Sequence, residues 1–278
     1  MIPIGQTLRF LLATASLLMG PWLTSSATEL MRLPIDGRPY DDVPVLSNMG
    51  DPSWPNLILI PGGNGGMGKL IDGIPSSKNF LMRSRQAFFK RGFNTYVQFR
   101  AGSIEPKAMG TIHRETEAHL QEIKSVIKYI KARSHSPIWI VGTSMGTVSA
   151  VNAARNLIED QVQGFVLTAS VVSTAPGNLR EVDLSVIKKP VLILHHAADE
   201  CRYCDPLYVS EIPARLVGSS RVELVMVEGG GPAIGDPCQA MHYHGFVGME
   251  DETVGRIVDW IGKPADPARE PHKRTTQK

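Results

Sequence analysis

The chain has 278 residues, of which 42% are hydrophobic, and a formal net charge of +2 at pH 7. Because the charge is nearly balanced and no basic stripe runs through the body of the sequence, nucleic acid is not an implied partner. The length and apolar content are sufficient for the core of one large globular domain or two small ones.

Residues 1–27 differ in composition from the rest of the chain. A single charged side chain, Arg9, precedes an apolar stretch at 10–19, and small residues at 25–27 close the segment. The apolar run is too short to cross a bilayer comfortably, so the pattern favours a cleaved secretory signal peptide over an uncleaved anchor. We therefore expect a secreted or periplasmic protein that keeps no stable membrane anchor after cleavage near Thr28.

The following segments alternate between strand-like and helix-like patterns. A short, proline-rich stretch at 31–46 predicts one or two edge strands at most. Strands are predicted within 55–63, 93–102, 138–142, 164–172, 190–199 and 221–231, and helices within 80–90, 111–132, 147–158, 206–216 and 249–261. Strands that alternate with helices indicate βαβ units and a mostly parallel sheet, which is an α/β fold.

The segment 111–132 is the longest predicted helix, and Thr111 is its expected N-cap. Four apolar residues share one helical face: Leu120, Ile123, Ile127 and Ile130. We find neither a repeat nor an internal linker, so we predict a single domain over 28–262. The remainder, 263–278, has little apolar content and several prolines, which predicts a flexible tail.

Glycine-rich and polar segments follow several of the predicted strands, where the ligands of an open parallel sheet collect. In chain order they are Pro61-Gly62-Gly63-Asn64-Gly65-Gly66, Gly142-Thr143-Ser144-Met145-Gly146, Asp199, and a loop that contains His242 and His244. A serine hydroxyl is a poor nucleophile near neutral pH, so it needs an imidazole to accept its proton and a carboxylate to orient that imidazole. These segments contain all three side chains.

The motif Gly-Thr-Ser-Met-Gly after an apolar strand, followed by an acid and then a histidine, resembles the α/β-hydrolase superfamily. The resemblance spans nearly the whole mature chain. It implies an α/β-hydrolase fold with a mostly parallel central sheet and helices on both faces. Only about a dozen residues, 173–184, separate the strand after the motif from the next element, which predicts a small or absent cap and an exposed serine.

The resemblance also implies roles for individual residues. Ser144 is the expected nucleophile, His244 the base and Asp199 the acid. The backbone amide of Met145 and an amide of the 61–66 turn, either Gly63 or Asn64, are expected to form the oxyanion hole. No cofactor or metal is implied.

Several alternatives stay open at this point. Glu200 and Asp205 are rivals for the acid, while His195, His196 and His242 are rivals for the base. A metal site built from four histidines, His195, His196, His242 and His244, is disfavoured, because no carboxylate completes the ligand set.

Three cysteines, Cys201, Cys204 and Cys238, allow at most one internal bridge in an oxidising compartment. A subgroup of exported hydrolases, which the segments around these residues resemble, carries a cysteine just after the acid and another before the histidine. This implies a Cys201–Cys238 disulfide that joins the acid loop to the histidine loop, with Cys204–Cys238 as the alternative.

The expected activity is that of a carboxylesterase acting on a small-molecule ester through an acyl-enzyme. Thioesters, amides and lactones are further candidate substrates. An acyltransferase would use the same three side chains, and a non-catalytic secreted binding protein could keep the fold without turnover.

Overall fold

The computed structural model describes residues 27–157, 162–173 and 175–263. The predicted signal peptide, 1–27, and the predicted tail, 263–278, lie outside these ranges except for Ala27 and Lys263. Among the described residues, no helix has the length and apolar content needed to cross a bilayer.

The described residues form an eight-stranded sheet and a two-stranded hairpin. The strands are β1 (Ala27–Ile35), β2 (Arg38–Met49), β3 (Asn56–Ile60), β4 (Leu70–Ile71), β5 (Ile74–Pro75), β6 (Asn94–Gln98), β7 (Ile138–Thr143), β8 (Gly164–Thr168), β9 (Val191–His196) and β10 (Val222–Val227). The helices are α1 (Phe80–Phe89), α2 (Thr111–Arg114), α3 (Glu117–Lys131), α4 (Met145–Asn156), α5 (Pro206–Val209), α6 (Ile212–Arg215) and α7 (Glu250–Gly262).

The large sheet has the strand order β1-β2-β6-β3-β7-β8-β9-β10. Six neighbouring strands run parallel: β6, β3, β7, β8, β9 and β10. β1 and β2 join this sheet as an antiparallel hairpin. The mostly parallel sheet predicted from the alternating pattern is therefore confirmed.

Helices cover both faces of the sheet, and the two cores follow from the alternation of side chains along each strand. In β3, Ile58 and Ile60 pack into the core on one face, while Leu57 and Leu59 pack into the core on the other. Helix α3 contributes its apolar stripe to the first core, and α1 and α7 contribute to the second. Strands buried on both faces explain the unbroken apolar runs in the sequence.

The N-terminal hairpin is longer than the proline-rich sequence predicted. β1 has nine residues and β2 has twelve. Of these two strands, only β1 lies at an edge of the sheet. Pro34 is accommodated in the edge strand, where a missing N–H costs no ladder bond on the open side. Pro44 lies just before the stretch of β2 that pairs with β6, which begins at Val45.

Two predicted helices are interrupted. The segment 111–132 divides into α2 and α3, and Thr116, not Thr111, caps the longer helix by accepting the His119 amide at 3.2 Å. The segment 206–216 divides into α5 and α6, with Pro213 in the first turn of α6. The proline ring and its missing N–H prevent a helix from continuing through this position.

Between β8 and β9 the described residues, 169–173 and 175–190, form no helix or strand. No cap domain is inserted there within the described part of the chain. The carboxyl ends of β3, β7 and β9 are the edge of the sheet at which the candidate site lies.

Candidate active site

Ser144 lies at the sharp corner between β7 and α4. Its backbone has φ 54° and ψ −127°, a conformation that is costly for a residue with a side chain. Neighbouring groups hold this corner: the Ser144 amide donates to the carbonyl of Thr168 at 3.0 Å, and the Ser144 carbonyl accepts from Thr147 Oγ1 at 2.7 Å. The strain is therefore sustained by the strand beside it and by the first turn of the helix after it.

The glycines around Ser144 are required by close backbone contacts. A Cβ on Gly146 would lie 2.1 Å from the carbonyl oxygen of Ile60, and one on Gly142 would lie 2.3 Å from the carbonyl oxygen of Gly146. In the facing turn, a Cβ on Gly62 would lie 2.7 Å from Cβ of Ser144. The strand, the helix and the turn approach one another too closely for larger residues.

His244 and Asp199 meet beside this corner. His244 lies in a short 3₁₀ turn, and its Nδ1 is 2.9 Å from Oδ2 of Asp199. The other oxygen of the carboxylate accepts the amide of Cys201 at 2.9 Å. Both side chains are buried. When Nδ1 carries a hydrogen and donates it in a hydrogen bond to Asp199, Nε2 of the neutral imidazole is unprotonated and can accept a proton.

Ser144 and His244 line the same cleft, which has a volume of about 250 Å³. Gly62, Gly63 and Asn64 line the same cleft. The structure therefore brings the predicted nucleophile, base and oxyanion turn to one cleft, with the predicted acid behind the base.

The rival acids lie elsewhere. Glu200 is largely exposed, and its carboxylate is 3.9 Å from Nε2 of His242. Asp205 caps α5 by accepting the amide of Leu207 at 2.9 Å. Neither residue contacts His244.

The rival bases are held by other groups. His196 is 3.0 Å from the carbonyl of Gly229 through Nε2, and its ring stacks on Tyr243 with the centroids 4.7 Å apart. His195 is completely buried behind the acid, where Nε2 lies 2.8 Å from the carbonyl of Cys204 and 3.4 Å from Oδ2 of Asp199.

His195 has a strongly perturbed acidity. Burial lowers the pKa of His195 to about 4, against the charge of Asp199 and the hydrogen bond to Cys204. Its Nδ1 is buried and has no hydrogen-bond partner within the described part of the chain. The ring is therefore neutral, with Nε2–H as a donor behind the acid. No specific contact was predicted for His195 from the sequence. The available signal for its contact with Asp199 was their separation of four residues.

The turn after β3 is built almost entirely from backbone. The Gly65 amide donates to the carbonyl of Gly62 at 3.2 Å, and Gly63 has φ +55°. Asn64 accepts the Gly66 amide at 3.0 Å through its side chain. Met145 begins α4, where backbone amides have no partner within the helix.

Cys201 and Cys238 form a disulfide bond, and Cys204 is free and buried. The bond joins the loop after Asp199 to the loop before His244. Burial raises the pKa of the Cys204 thiol well above its usual 9.0, and the charge of Asp199 adds to this effect while a hydrogen bond with Ser144 opposes it. Cys204 is thus a neutral thiol next to Ser144, a position that its sequence context did not reveal.

Within the described residues, two groups bring possible metal-ligating atoms within 4.8 Å of one another. The first is Cys201, Cys204 and His244, but the sulfur of Cys201 is already committed to the disulfide. The second is His113, His119 and Glu122, and it includes none of the four histidines weighed in the sequence.

The second group already has its charge compensated. Arg38 donates to Oε1 of Glu122 at 3.0 Å, and Nδ1 of His119 lies 2.8 Å from Oε2. A divalent cation would have to displace the Arg38 guanidinium from the carboxylate. The arrangement is an ion pair with a histidine attached to it.

No protein-family model matches the sequence, and no curated protein matches it significantly. Solved structures do resemble it. A cold-adapted esterase from an Arctic intertidal metagenomic library shares 18% identity and superposes with a TM-score of 0.57, covering 83% of this chain and 92% of that one. An α/β serine hydrolase without a lid from Xanthomonas campestris gives 18% and 0.55, covering 86% and 98%.

A Pyrococcus furiosus esterase gives 14% identity and a TM-score of 0.60, covering 87% of this chain and 94% of that one. These likenesses, together with the eight-stranded, mostly parallel sheet, establish the class: the chain has the α/β-hydrolase fold, as predicted.

Proposed function

We propose that the protein is an exported serine hydrolase that cleaves small carboxylic esters through an acyl-enzyme. The observation that carries the proposal is the strained Ser144 facing the same cleft as His244, whose imidazole is bonded to Asp199. The names of the structural neighbours, esterases and serine hydrolases, support the same class of reaction.

In this proposal Nε2 of His244 accepts the proton of the Ser144 hydroxyl as the oxygen attacks the ester carbonyl. Asp199 holds the imidazole in the required tautomer and stabilises the imidazolium that forms. His244 then returns the proton to the leaving alcohol. In the second half of the cycle, a water molecule deprotonated by the same imidazole releases the acid and restores the serine.

The developing oxyanion would accept hydrogen bonds from the Met145 amide and from an amide of the 61–66 turn, Gly63 or Asn64. The Met145 amide lies at the start of α4, so the helix dipole also favours negative charge there. The turn lines the same cleft as Ser144 and can supply the second donor.

The cleft supports a small substrate. A volume of about 250 Å³ is below the usual range of roughly 300–1,000 Å³ for sites that enclose a drug-sized ligand. No cap helix covers it among the described residues. Short-chain esters with an exposed alcohol portion fit this geometry better than long lipids.

The remaining parts of the proposal concern the whole chain. A single catalytic domain over 28–262 includes every element that forms the site. Export rests on the character of 1–27 and on the Cys201–Cys238 disulfide, which belongs to an oxidising compartment. Fractionation followed by N-terminal sequencing tests export: a mature chain that begins near Thr28 and is recovered outside the cytoplasm supports it, and a chain that keeps Met1 and stays in the cytoplasm contradicts it.

The catalytic proposal is tested with a fluorophosphonate probe on the purified chain from Thr28 onward. We expect covalent labelling of Ser144 that is lost in Ser144→Ala and in His244→Ala. Ser125→Ala and His135→Ala serve as controls, because Ser125 bonds only within α3 and His135 is exposed. Absence of labelling in folded wild-type protein would favour a binding protein with the same fold.

Hydrolysis of a p-nitrophenyl ester series tests the substrate class. We expect acetate and butyrate to be cleaved faster than laurate, since the small cleft holds a short acyl group. Preferred cleavage of the laurate ester would contradict the short-acyl proposal. Acyl transfer to added alcohols in preference to water would identify an acyltransferase.

A further inference from the structure

Arg114 is a buried cation without an acidic partner of its own. It lies at the end of α2 with no exposed surface, and no carboxylate of the described residues comes within 4.0 Å of its guanidinium. Burial lowers the pKa of Arg114 to about 10, against the opposing charge of Glu122. Apolar packing does not account for such a residue, because taking an unpaired charge out of water is costly.

The guanidinium instead grips the turn that borders the cleft. Nη2 donates to the carbonyl of Pro61 at 3.1 Å and to the carbonyl of Gly63 at 3.0 Å. Nη1 donates to Oγ of Ser149, on α4, at 2.8 Å. A planar fork of fixed donors therefore joins two backbone carbonyls of the turn to the helix that begins beside Ser144.

The orientation of the carbonyls determines the orientation of the amides. In a trans peptide the C=O and the following N–H point in opposite directions. Binding the Gly63 carbonyl to Arg114 therefore turns the Asn64 amide away from the guanidinium. Binding the Pro61 carbonyl orients the Gly62 amide in the same way, so the Gly62–Gly63 peptide, which carries the Gly63 amide, is held from both sides.

The turn supplies only part of this order itself, through the bond from the Gly65 amide to the Gly62 carbonyl. Gly62 and Gly63 have no side chains, and Gly63 adopts φ +55°. Glycine visits many backbone conformations at similar cost, so two in succession restrain the backbone weakly. An external group that binds the flanking carbonyls of Pro61 and Gly63 reduces this freedom further.

A second layer holds Arg114. Because Ser149 Oγ accepts from Arg114, its hydrogen can be donated to Nε2 of His119, 2.8 Å away. Nδ1–H of His119 then donates to Glu122 at 2.8 Å, and Arg38 pairs with the same carboxylate at 3.0 Å. Burial lowers the pKa of His119, which keeps it neutral and matches this direction of donation.

We propose that Arg114 is a positioning residue for the oxyanion hole: it orients the amides of the 61–64 turn by binding the carbonyls of Pro61 and Gly63. The inference rests on the proposed function, because it presumes that these amides stabilise an oxyanion. Arg114 does not contact the substrate, and it acts through the backbone that does.

The test separates transition-state stabilisation from folding. Arg114→Met removes all three donated hydrogen bonds at similar side-chain length. Since loss of one oxyanion donor lowers kcat by about 10²–10³-fold, we expect a fall of about 10²-fold in kcat on p-nitrophenyl acetate, with KM changed less than about threefold. Arg114→Lys keeps the charge but has one nitrogen in place of the two that bind the turn and Ser149, so it should lie between this variant and wild type.

A boronic acid supplies a readout that a structural role would not move. Phenylboronic acid forms a tetrahedral adduct with an active serine and places an oxygen in the oxyanion hole. We expect its Kd to rise in Arg114→Met by the same factor by which kcat falls. The matched control is Arg85→Met, because Arg85 is a half-buried arginine whose hydrogen bond stays within α1, to the carbonyl of Met82. Arg85→Met should leave kcat and Kd unchanged.

The outcomes are distinguishable. If both Arg114 variants show a lower melting temperature but wild-type kcat and boronate affinity per titrated site, the positioning role is wrong and the hydrolase proposal stands. If wild-type protein neither hydrolyses the ester nor reacts with a fluorophosphonate, both proposals are wrong. Should Arg114→Met fail to fold, Arg114→Lys and Ser149→Ala carry the same comparison, since Ser149→Ala removes the bond that holds Nη1.

Discussion

The buried histidine beside Asp199 leads to a quantitative prediction about stability and pH. His195 has a pKa of about 4 in the folded protein, against the ordinary value of 6.5. The unfolded chain therefore binds a proton at His195 first as the pH falls, which favours unfolding. The contribution of neutral His195 to the free energy of unfolding is complete above pH 6.5 and is lost as the pH falls from 6.5 to about 4. A difference of 2.5 pKa units corresponds to about 3 kcal/mol.

The substitution His195→Gln removes this titration while keeping a side-chain N–H that can reach the Cys204 carbonyl. We expect the free energy of unfolding of the variant to fall by about 3 kcal/mol less than that of wild type between pH 7 and pH 4. Urea unfolding followed by tryptophan fluorescence at half-unit pH steps measures both curves. His135→Gln, at an exposed histidine, should give a curve parallel to wild type.

The comparison uses slopes, so an overall loss of stability in His195→Gln does not affect it. Titrating groups that do not interact with His195 contribute equally to both proteins and cancel in the difference. Parallel curves for wild type and His195→Gln would refute the reasoning, because they would mean that His195 is protonated in the folded protein as readily as in the unfolded chain.

Two further predictions concern the elbow and the disulfide. Gly146→Ala places a methyl group 2.1 Å from the Ile60 carbonyl and should lower stability by about 1–3 kcal/mol and reduce esterase activity. In contrast, Gly255→Ala on α7, where a Cβ meets nothing within 4 Å, should raise stability by about 0.5–1 kcal/mol; thermal unfolding of both variants checks the contrast. Replacing Cys201 and Cys238 by serine opens a loop with a sequence separation of 37, which should cost about 4 kcal/mol. Identical urea midpoints for this variant and the oxidised wild type would contradict that estimate.

The parts of the fold that depend on local periodicity were predictable from the sequence. The spacing of the apolar residues in β3 and on α3 indicates which side chains are buried, and both sets are buried as expected. The order of Ser144, Asp199 and His244 was equally informative, because in a parallel sheet each strand end faces the same edge. The sequence pattern was sufficient to predict proximity wherever the sheet topology brings residues that are distant along the chain to the same edge.

Contacts between distant side chains were not predictable in this way. Arg114 binds a carbonyl 53 residues away, at Pro61, and nothing in the sequence around either residue encodes that meeting. The division of 111–132 had a local cause, the cap at Thr116, but Thr111 offered an equally good capping side chain. Choosing between the two required the packing of α2 against α4.

Two loops that line the cleft are each bound by an arginine. A Cβ on Gly62 would collide with Ser144, so this position of the 61–66 turn must be glycine, and Arg114 binds the turn from outside through the carbonyls of Pro61 and Gly63. The histidine loop has a similar support: Arg83 of α1 donates to the carbonyls of Ala240 and Gly245 at 2.9 and 2.7 Å, on either side of His244 in the chain.

The two arginines are held differently, and the difference follows from their surroundings. Arg83 is partly exposed and pairs directly with Glu250 at 2.7 Å. Arg114 is fully buried beneath the turn and reaches the carboxylate of Glu122 only through Ser149 and His119. Both hydrogens of Nη2 are therefore given to the turn. The hydrogen bonds through Ser149 and His119 connect the buried guanidinium to Glu122 without a direct contact between the two charges.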